Sequence, residues 1–338
     1  MGLITCKDIT KKFGNFNALT SVNLDIPEGK IFGFLGPNGA GKTTLIRIIN
    51  RITLPTSGEL LFKGKTMQLS DIERIGYLPE ERGLYKKMKI GEQAIYLARL
   101  KGMSRSDATR ELQKWFMEFG IQPWWNKKLE ELSKGMAQKI QFIITVVHKP
   151  NLIILDEPFS GFDPINVDLI RKEILKLRDN GATIILSTHN MESVEELCDN
   201  IALINKSKVV ITGEVEAIRK EHGKNRVEVV YNSEQALDSV PSLFSVLSSK
   251  EEKDGRHSIL EVVPGTASRS ILNEIVPKVD IISYQALMPR MNDIFIKLVK
   301  DSGGAVSQGI TEYQKNTAAA APRSTSATNT AASKNKEE

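Results

Sequence analysis

Cysteine is nearly missing from this chain, with Cys6 and Cys198 the only two among 338 residues. Two thiols that far apart build neither a disulfide framework nor a thiolate zinc site, which points to a reduced, cytosolic setting. Histidine is almost as scarce, and His148, His189, His222 and His257 fall at no metal-ligand spacing. Long apolar runs are missing too. The longest, residues 142–147 and 152–155, fall far short of the roughly 20 apolar residues of a membrane-spanning helix. The N-terminal M-G-L-I-T-C-K-D lacks the basic-then-apolar order of a secretory signal, and its Cys at position 6 misses the Ser/Thr of a myristoylation signal. Strong charge of one sign is absent as well: the net charge is +5, and the basic runs at 86–89 and 127–128 are short enough to read as solvated charge.

What is present is a packed, two-domain composition, 41% hydrophobic over 338 residues. Strand-like and helix-like segments alternate to about residue 215, which argues α/β. Residues 31–35, 152–155 and 183–187 are nearly all apolar, as strands buried on both faces are. Residues 104–119 and 166–180 carry apolar stripes at helical spacing. After a break at 213–224, residues 226–231 and 258–263 alternate like exposed strands, and 268–279 and 291–299 look helical. From about residue 301 the composition turns to Ala, Ser, Thr, Asn and Lys, which cannot bury a core and is expected to be disordered. The expected organisation is 1–220, a small α+β unit at 221–300, and a tail at 301–338.

Directly after the apolar run 31–35 comes G-P-N-G-A-G-K-T-T, residues 36–44, in the strand–loop–helix context of a phosphate-binding loop. Gly36, Gly39 and Gly41, with Pro37, Asn38 and Ala40 between them, would let backbone amides close around a polyphosphate. Lys42 would reach the outer phosphates, and Thr43 would offer its hydroxyl to Mg²⁺, with Thr44 beside it in the first helical turn. The positive end of that helix would face the anion.

Further segments follow in order: L-S-K-G-M at 132–136, opening a helix; L-I-I-L-D-E at 152–157; S-G-F-D at 160–163; and S-T-H at 187–189. Asp156 ends a buried strand where open α/β sheets bind ligands, and is placed to hold Mg²⁺. Glu157 beside it is placed to accept a proton from an attacking water. Ser133 and Gly135 open a helix, where a Ser and bare amides suit a phosphate.

With these motifs the sequence resembles the ATP-binding subunits of ABC transporters, over roughly residues 3–220. The stretch I-G-Y-L-P-E-E-R-G-L-Y at 75–85 and the C-terminal extension resemble the sodium- and drug-efflux exporters of that family. The resemblance implies a P-loop NTPase domain of the ABC type with a helical subdomain, and ATP and Mg²⁺ as ligands. It implies that His189 contacts the γ-phosphate and that Phe13 stacks on adenine. It implies that Ser133 and Gly135 close over the ATP of a second ATP-binding subunit, expected to be another copy of this chain, and that Asp163 links the two sites. A separate transmembrane permease is the implied partner, docking on residues 80–100, with the chain at the cytoplasmic face of the membrane and no nucleic acid bound. The alternative in the same family is a non-transport ATPase working on ribosomes or DNA, which commonly has paired motif sets or a long coiled-coil insertion; here 133 − 42 = 91 positions separate Lys42 from Ser133. A regulatory ATP sensor without turnover is a further class, opposed by the joint presence of Glu157 and His189.

The sequence departs from the family pattern at three positions. Lys134 replaces a glycine and Met136 a glutamine in the L-S-G-G-Q signature, and Glu80 stands where a glutamine usually touches Mg²⁺ and the attacking water. Glu80 either ligates the metal or turns outward, and as a third carboxylate it would crowd Asp156 and Glu157.

Overall fold

The computed structural model describes residues 2–81, 83–222 and 225–302. The chain opens with the hairpin β1 (Ile4–Phe13) and β2 (Phe16–Ile26), then β3 (Ile31–Leu35) and α1 (Lys42–Ile49). β4 (Ser57–Phe62), β5 (Lys65–Thr66) and β6 (Ile75–Leu78) lead to three helices, α2 (Ile90–Leu100), α3 (Arg105–Glu118) and α4 (Lys134–Val146). Alternation resumes with β7 (Leu152–Asp156), α5 (Pro164–Asp179), β8 (Thr183–Ser187), α6 (Met191–Leu197), β9 (Asn200–Asn205), β10 (Lys208–Glu214) and α7 (Val215–His222). The last part holds β11 (Arg226–Asn232), β12 (Phe244–Glu252), β13 (Gly255–Val262), α8 (Ser268–Ile275), β14 (Asp280–Leu287) and α9 (Met291–Asp301).

The central sheet has the order β10-β9-β3-β8-β7-β6. Its inner strands are parallel, and only β10 runs antiparallel, beside β9. Every residue of β3, β7 and β8 is buried, which is why these segments read as continuous apolar runs rather than as alternating ones. Their side chains still alternate between two cores. Ile153, Leu155, Ile184 and Leu186 pack on the helical side with Phe116, Phe142 and Ile174. Leu152, Ile154, Phe32 and Phe34 pack on the other side against Ile4, Leu24 and Ile46. That second layer is an antiparallel sheet, β2-β1-β4-β5, whose strands alternate and are half exposed.

Helices α2–α4 form the helical unit around an aromatic cluster. Ser104 caps α3 by accepting the Asp107 amide. Trp115 on α3 and Phe119 just after its end meet Phe142 of α4, at ring separations of 6.3 and 6.1 Å, and Phe116 stands edge-on to Trp125 at 5.0 Å. Of the stripe Ala108, Leu112, Trp115, Phe116 and Phe119, four residues are core and Trp115 is half-buried against the same cluster.

The accessory sheet is antiparallel, order β12-β13-β11-β14, with α8 packing Ile271 and Ile275 onto Val229, Tyr231, Phe244 and Leu260. The buried Tyr231 hydroxyl bonds Ser258 Oγ at 2.9 Å and accepts the Leu237 amide at 2.9 Å. Helix α9 does not join this core. Its Met291, Ile294, Phe295 and Val299 pack with Val194 and Leu197 of α6 and Ile218 of α7. It runs to Asp301, and Ser302 Oγ accepts from Asn205 Nδ2 at 2.7 Å. The change of composition at 301 therefore starts inside a helix, because that last turn is anchored to β9. The disorder expected of the tail concerns, from 303 on, residues outside those described.

Phe142 is fully buried between two aromatic partners, so Phe142→Ala is expected to cost about 3–5 kcal/mol in urea unfolding. The half-exposed Ile282, replaced by Ala, is expected to change stability by under about 0.5 kcal/mol.

Candidate nucleotide-binding and hydrolysis site

The loop 36–41 is shaped by left-handed backbone at three glycines, with φ of 147° at Gly36, 77° at Gly39 and 116° at Gly41. A Cβ on Gly36 would lie 2.1 Å from the Ile204 carbonyl oxygen, and one on Gly41 would lie 2.6 Å from that of Ala18. Gly39 instead faces open space. The loop is tied down by the Ala40 amide donating to Pro37 O and the Ser207 amide donating to Ala40 O, both at 3.1 Å. Helix α1 begins at Lys42 with no side-chain cap, so its first amides have no side chain to satisfy them and suit an anion. Thr43 and Thr44 are half-buried in that turn, while Pro37 is half-buried and Asn38 exposed at the loop's crest.

The buried Lys42 ammonium donates to the Gly36 and Pro37 carbonyls at 2.7 and 3.2 Å. Burial pulls its pKa down, opposed by the charges of Glu157, Asp156 and Glu80. The three carboxylates therefore all bear on one ammonium.

Asp156 closes β7 and is buried, and its Oδ2 has no hydrogen-bond partner among the described residues. Burial pushes its carboxyl pKa upward; Glu157 and Glu80 add to this, and Ser187 and Lys42 oppose it. An unpartnered buried carboxylate oxygen costs free energy that a cation would offset. Asp156 and the Thr43 hydroxyl offer oxygen donors only, the ligand type that Mg²⁺ takes.

At Glu157 the chain turns left-handed, φ 51°, a conformation that costs a non-glycine residue on the order of 1–3 kcal/mol. The turn is held by the Glu157 amide donating to Ser187 O at 2.9 Å. It breaks the strand's alternation, so the Glu157 carboxylate comes to the same mouth as Asp156. Glu157 Oε1 lies 2.8 Å from His189 Nδ1, and its Oε2 accepts from Thr188 Oγ1 at 3.4 Å. The Glu157 side chain is 15% exposed and that of His189 75%. The hydrogen bond to Glu157 raises the His189 pKa above its ordinary value, against the partial loss of hydration.

Glu80 follows β6, the strand paired with β7, so it stands at the same sheet edge. It is exposed and makes no hydrogen bond or ion pair with the described residues, while its charge acts on Lys42, Asp156 and His189. Phe13 and Phe16 face each other across the β1–β2 hairpin and are 53% and 61% exposed, with Lys11 Nζ 5.0 Å above the Phe13 ring. Core packing does not explain them. Their hairpin adjoins the phosphate loop, since Ser207 Oγ donates to Asn17 O at 2.6 Å while its amide holds Ala40.

Ser133, Gly135 and Asp163 form a second group. Ser133 Oγ caps α4 by accepting the Met136 amide at 3.3 Å. Asp163 caps α5, its Oδ1 accepting the Asn166 amide at 3.0 Å and its Oδ2 the Asn166 side chain at 2.6 Å. Gln138 of α4 donates to Pro158 O at 3.0 Å, which ties this group to the segment after Glu157. No hydrogen bond or ion pair joins it to the phosphate loop among the described residues. Sequence reasoning assigned no role to Thr188, although it lies within the S-T-H run, nor to Gln138 and Ser207, whose partners are distant in the chain. It also missed Glu252, Asp254 and His257, whose ligand atoms gather within 4.8 Å of one another on the β12–β13 hairpin. There His257 is already engaged by Glu228 and Asp254.

Comparison with known proteins bears on this geometry. The family profile described as ABC transporter matches residues 19–160, and that of the DrrA1-3-like ATP-binding protein C-terminal domain matches residues 213–299. The uncharacterized ABC transporter ATP-binding protein YhaQ of Bacillus subtilis is 44% identical over 297 residues, 88% of this chain and 98% of its own. The bacitracin transport ATP-binding protein BcrA of Bacillus licheniformis is 27% identical over 310 residues, 90% of this chain and 99% of its own. A solved structure of an ATP binding subunit of an ABC transporter superposes with a TM-score of 0.61 at 28% identity, covering 65% of this chain and 92% of that one. Members of this family hydrolyse ATP in transport, dimerise and work with a transmembrane component; among the described residues no helix is long and apolar enough to cross a membrane. The chain belongs to the ATP-binding proteins of ABC transporters.

Proposed function

We propose that the chain is the ATP-hydrolysing motor of an exporter, at the cytoplasmic face of the membrane. The observation that carries the catalytic part is the Glu157 carboxylate, held between His189 and Thr188 at the mouth that Lys42 and Asp156 also face. There Glu157 accepts the proton of the water that attacks the γ-phosphate, and His189 holds Glu157 in place and reaches that phosphate. Lys42 and the amides of residues 36–44 bind the polyphosphate, and Phe13 stacks on the base. Thr43, Asp156 and Glu80 would hold Mg²⁺, which neutralises phosphate charge when bound. Ser133, Gly135 and Asp163 serve the ATP of a second copy of this chain, so each site is completed only in the dimer.

The permease docks on residues 80–100, where Tyr85, Tyr96 and Leu100 are exposed apolar side chains. The relative named for bacitracin transport aligns with 90% of this chain, its C-terminal unit included, which favours a drug or peptide cargo over sodium. No relative named above points to ribosomes or nucleic acid.

Glu157→Gln is expected to cut ATP turnover by on the order of 10²–10⁴ while leaving ATP binding intact. In the presence of ATP this variant is expected to elute as a dimer in size-exclusion chromatography, and a monomer at saturating ATP removes the two-chain site. Lys42→Ala is expected to weaken ATP binding itself, and an unchanged affinity sinks the phosphate-loop assignment. In an NMR titration His189 is expected to titrate above the ordinary histidine value of about 6.5 and to fall back toward it in Glu157→Gln. Because the folded-state pKa is the raised one, the His189–Glu157 contribution to stability is full below the unfolded pKa and is lost as pH rises through the folded one. Export is tested by co-purifying the membrane subunit and measuring ATP turnover of the reconstituted complex with bacitracin and with sodium; stimulation by sodium alone overturns the cargo assignment.

A further inference from the structure

Where the accessory sheet meets the linker into α9 lies a cavity of about 680 Å³, a size typical of small-ligand sites. None of its lining belongs to the nucleotide loop or to the group around Glu157. Ile259, Leu287 and Ile294 supply an apolar wall, and Arg226, Arg290 and Lys297 stand around it. These three cations make no side-chain hydrogen bond or ion pair among the described residues. Two carboxylates also line the cavity, Glu228 and Asp293. Glu228 is engaged by His257 Nδ1 at 3.1 Å but keeps its charge, so three cations stand against two carboxylates and the cationic excess is small. Gathering like charges in one concavity is unfavourable for the free chain and favourable for an incoming anion.

The floor of the cavity is fixed before any ligand arrives. Arg219 Nε donates to Pro289 O at 2.9 Å, and the Met291 amide donates to Glu195 Oε1 at 2.5 Å. Arg219 and Glu195 also pair with each other at 3.6 Å. The backbone of the linker on either side of Arg290 is thereby pinned to α6 and α7, so an arriving ligand orders side chains and not the linker.

We propose that this cavity binds a small organic anion, its apolar body lying on Ile259 and Leu287 and its charged head held by Arg226, Arg290 and Lys297. The sheet supplies Ile259, Leu287 and Arg226, the linker supplies Arg290, and α9 supplies Ile294 and Lys297, so all three cations come together only where the three segments meet.

The test uses the full chain carrying Lys42→Ala, so that the phosphate loop is not the acceptor, titrated with phenyl phosphate by calorimetry at low salt. One equivalent per chain is expected to bind, more weakly as sodium chloride is added. Adding Arg226→Ala and Arg290→Ala is expected to weaken binding by about tenfold or more, with an unchanged melting temperature because both side chains are exposed. Lys297→Ala, on its own helix face, is expected to give a smaller loss and guards against misfolding of the double variant. No saturable binding to the Lys42→Ala chain, or binding indifferent to all three substitutions, overturns the proposal. A Lys42→Ala chain that still binds ATP normally, by contrast, counts against the phosphate loop and not against this cavity.

Discussion

The parallel pairing of β3, β8 and β7 is the constraint on which the site depends. In register, Asp156 stands opposite Ser187, and Ser187 stands opposite Phe34. Three strands therefore end together at one sheet edge, and the loop after β3, the Asp156–Glu157 pair and the Thr188–His189 pair all emerge there. The register is enforced by burial on both faces. Moving β7 by one residue would send Ile153 and Leu155 into the core built for Leu152 and Ile154, and would carry Asp156 away from the edge. The carboxylates are placed by the packing of residues that do no chemistry.

That edge concentrates negative charge. Asp156 is buried, Glu157 is mostly buried, and both act on the ammonium of Lys42. Glu80 adds a third charge where the family pattern has a neutral amide. Because Glu80 is exposed, water screens it, and its presence costs far less than a third buried carboxylate would. Of the two placements that the sequence left open for Glu80, the outward one is found, and from there its charge still acts on Lys42, Asp156 and His189.

The buried strands were legible because their apolar runs are unbroken, and 31–35 and 183–187 agree residue for residue with β3 and β8. β1, β2 and β4 were not singled out, since half-exposed antiparallel strands interleave polar residues with apolar ones. β12 and β14 escaped for the same reason, carrying mostly exposed side chains. Helix α9 was legible as a helix but not in its allegiance: an apolar stripe says that a face is covered, not by what. The site shows the same division. Motif residues could be read from their order, whereas the left-handed turn that brings Glu157 beside His189, and the tie from Ser207 to the phosphate loop, depend on contacts between distant segments.

The second group poses the question of what its residue types are for. Capping accounts for Ser133 and Asp163 without any ligand, since each bonds an amide of the helix it precedes. Capping does not account for Gly135. It lies in the first turn of α4 with no left-handed backbone, so nothing in its conformation calls for glycine. Nor do its neighbours demand it, because a Cβ there would meet Gly161 O at 3.5 Å and the Phe162 ring at 3.7 Å, which are ordinary contacts. Among the described residues nothing requires that position to be bare. A phosphate approaching from a second chain, as proposed above, would give that bare backbone its use, because a side chain there would stand in its way.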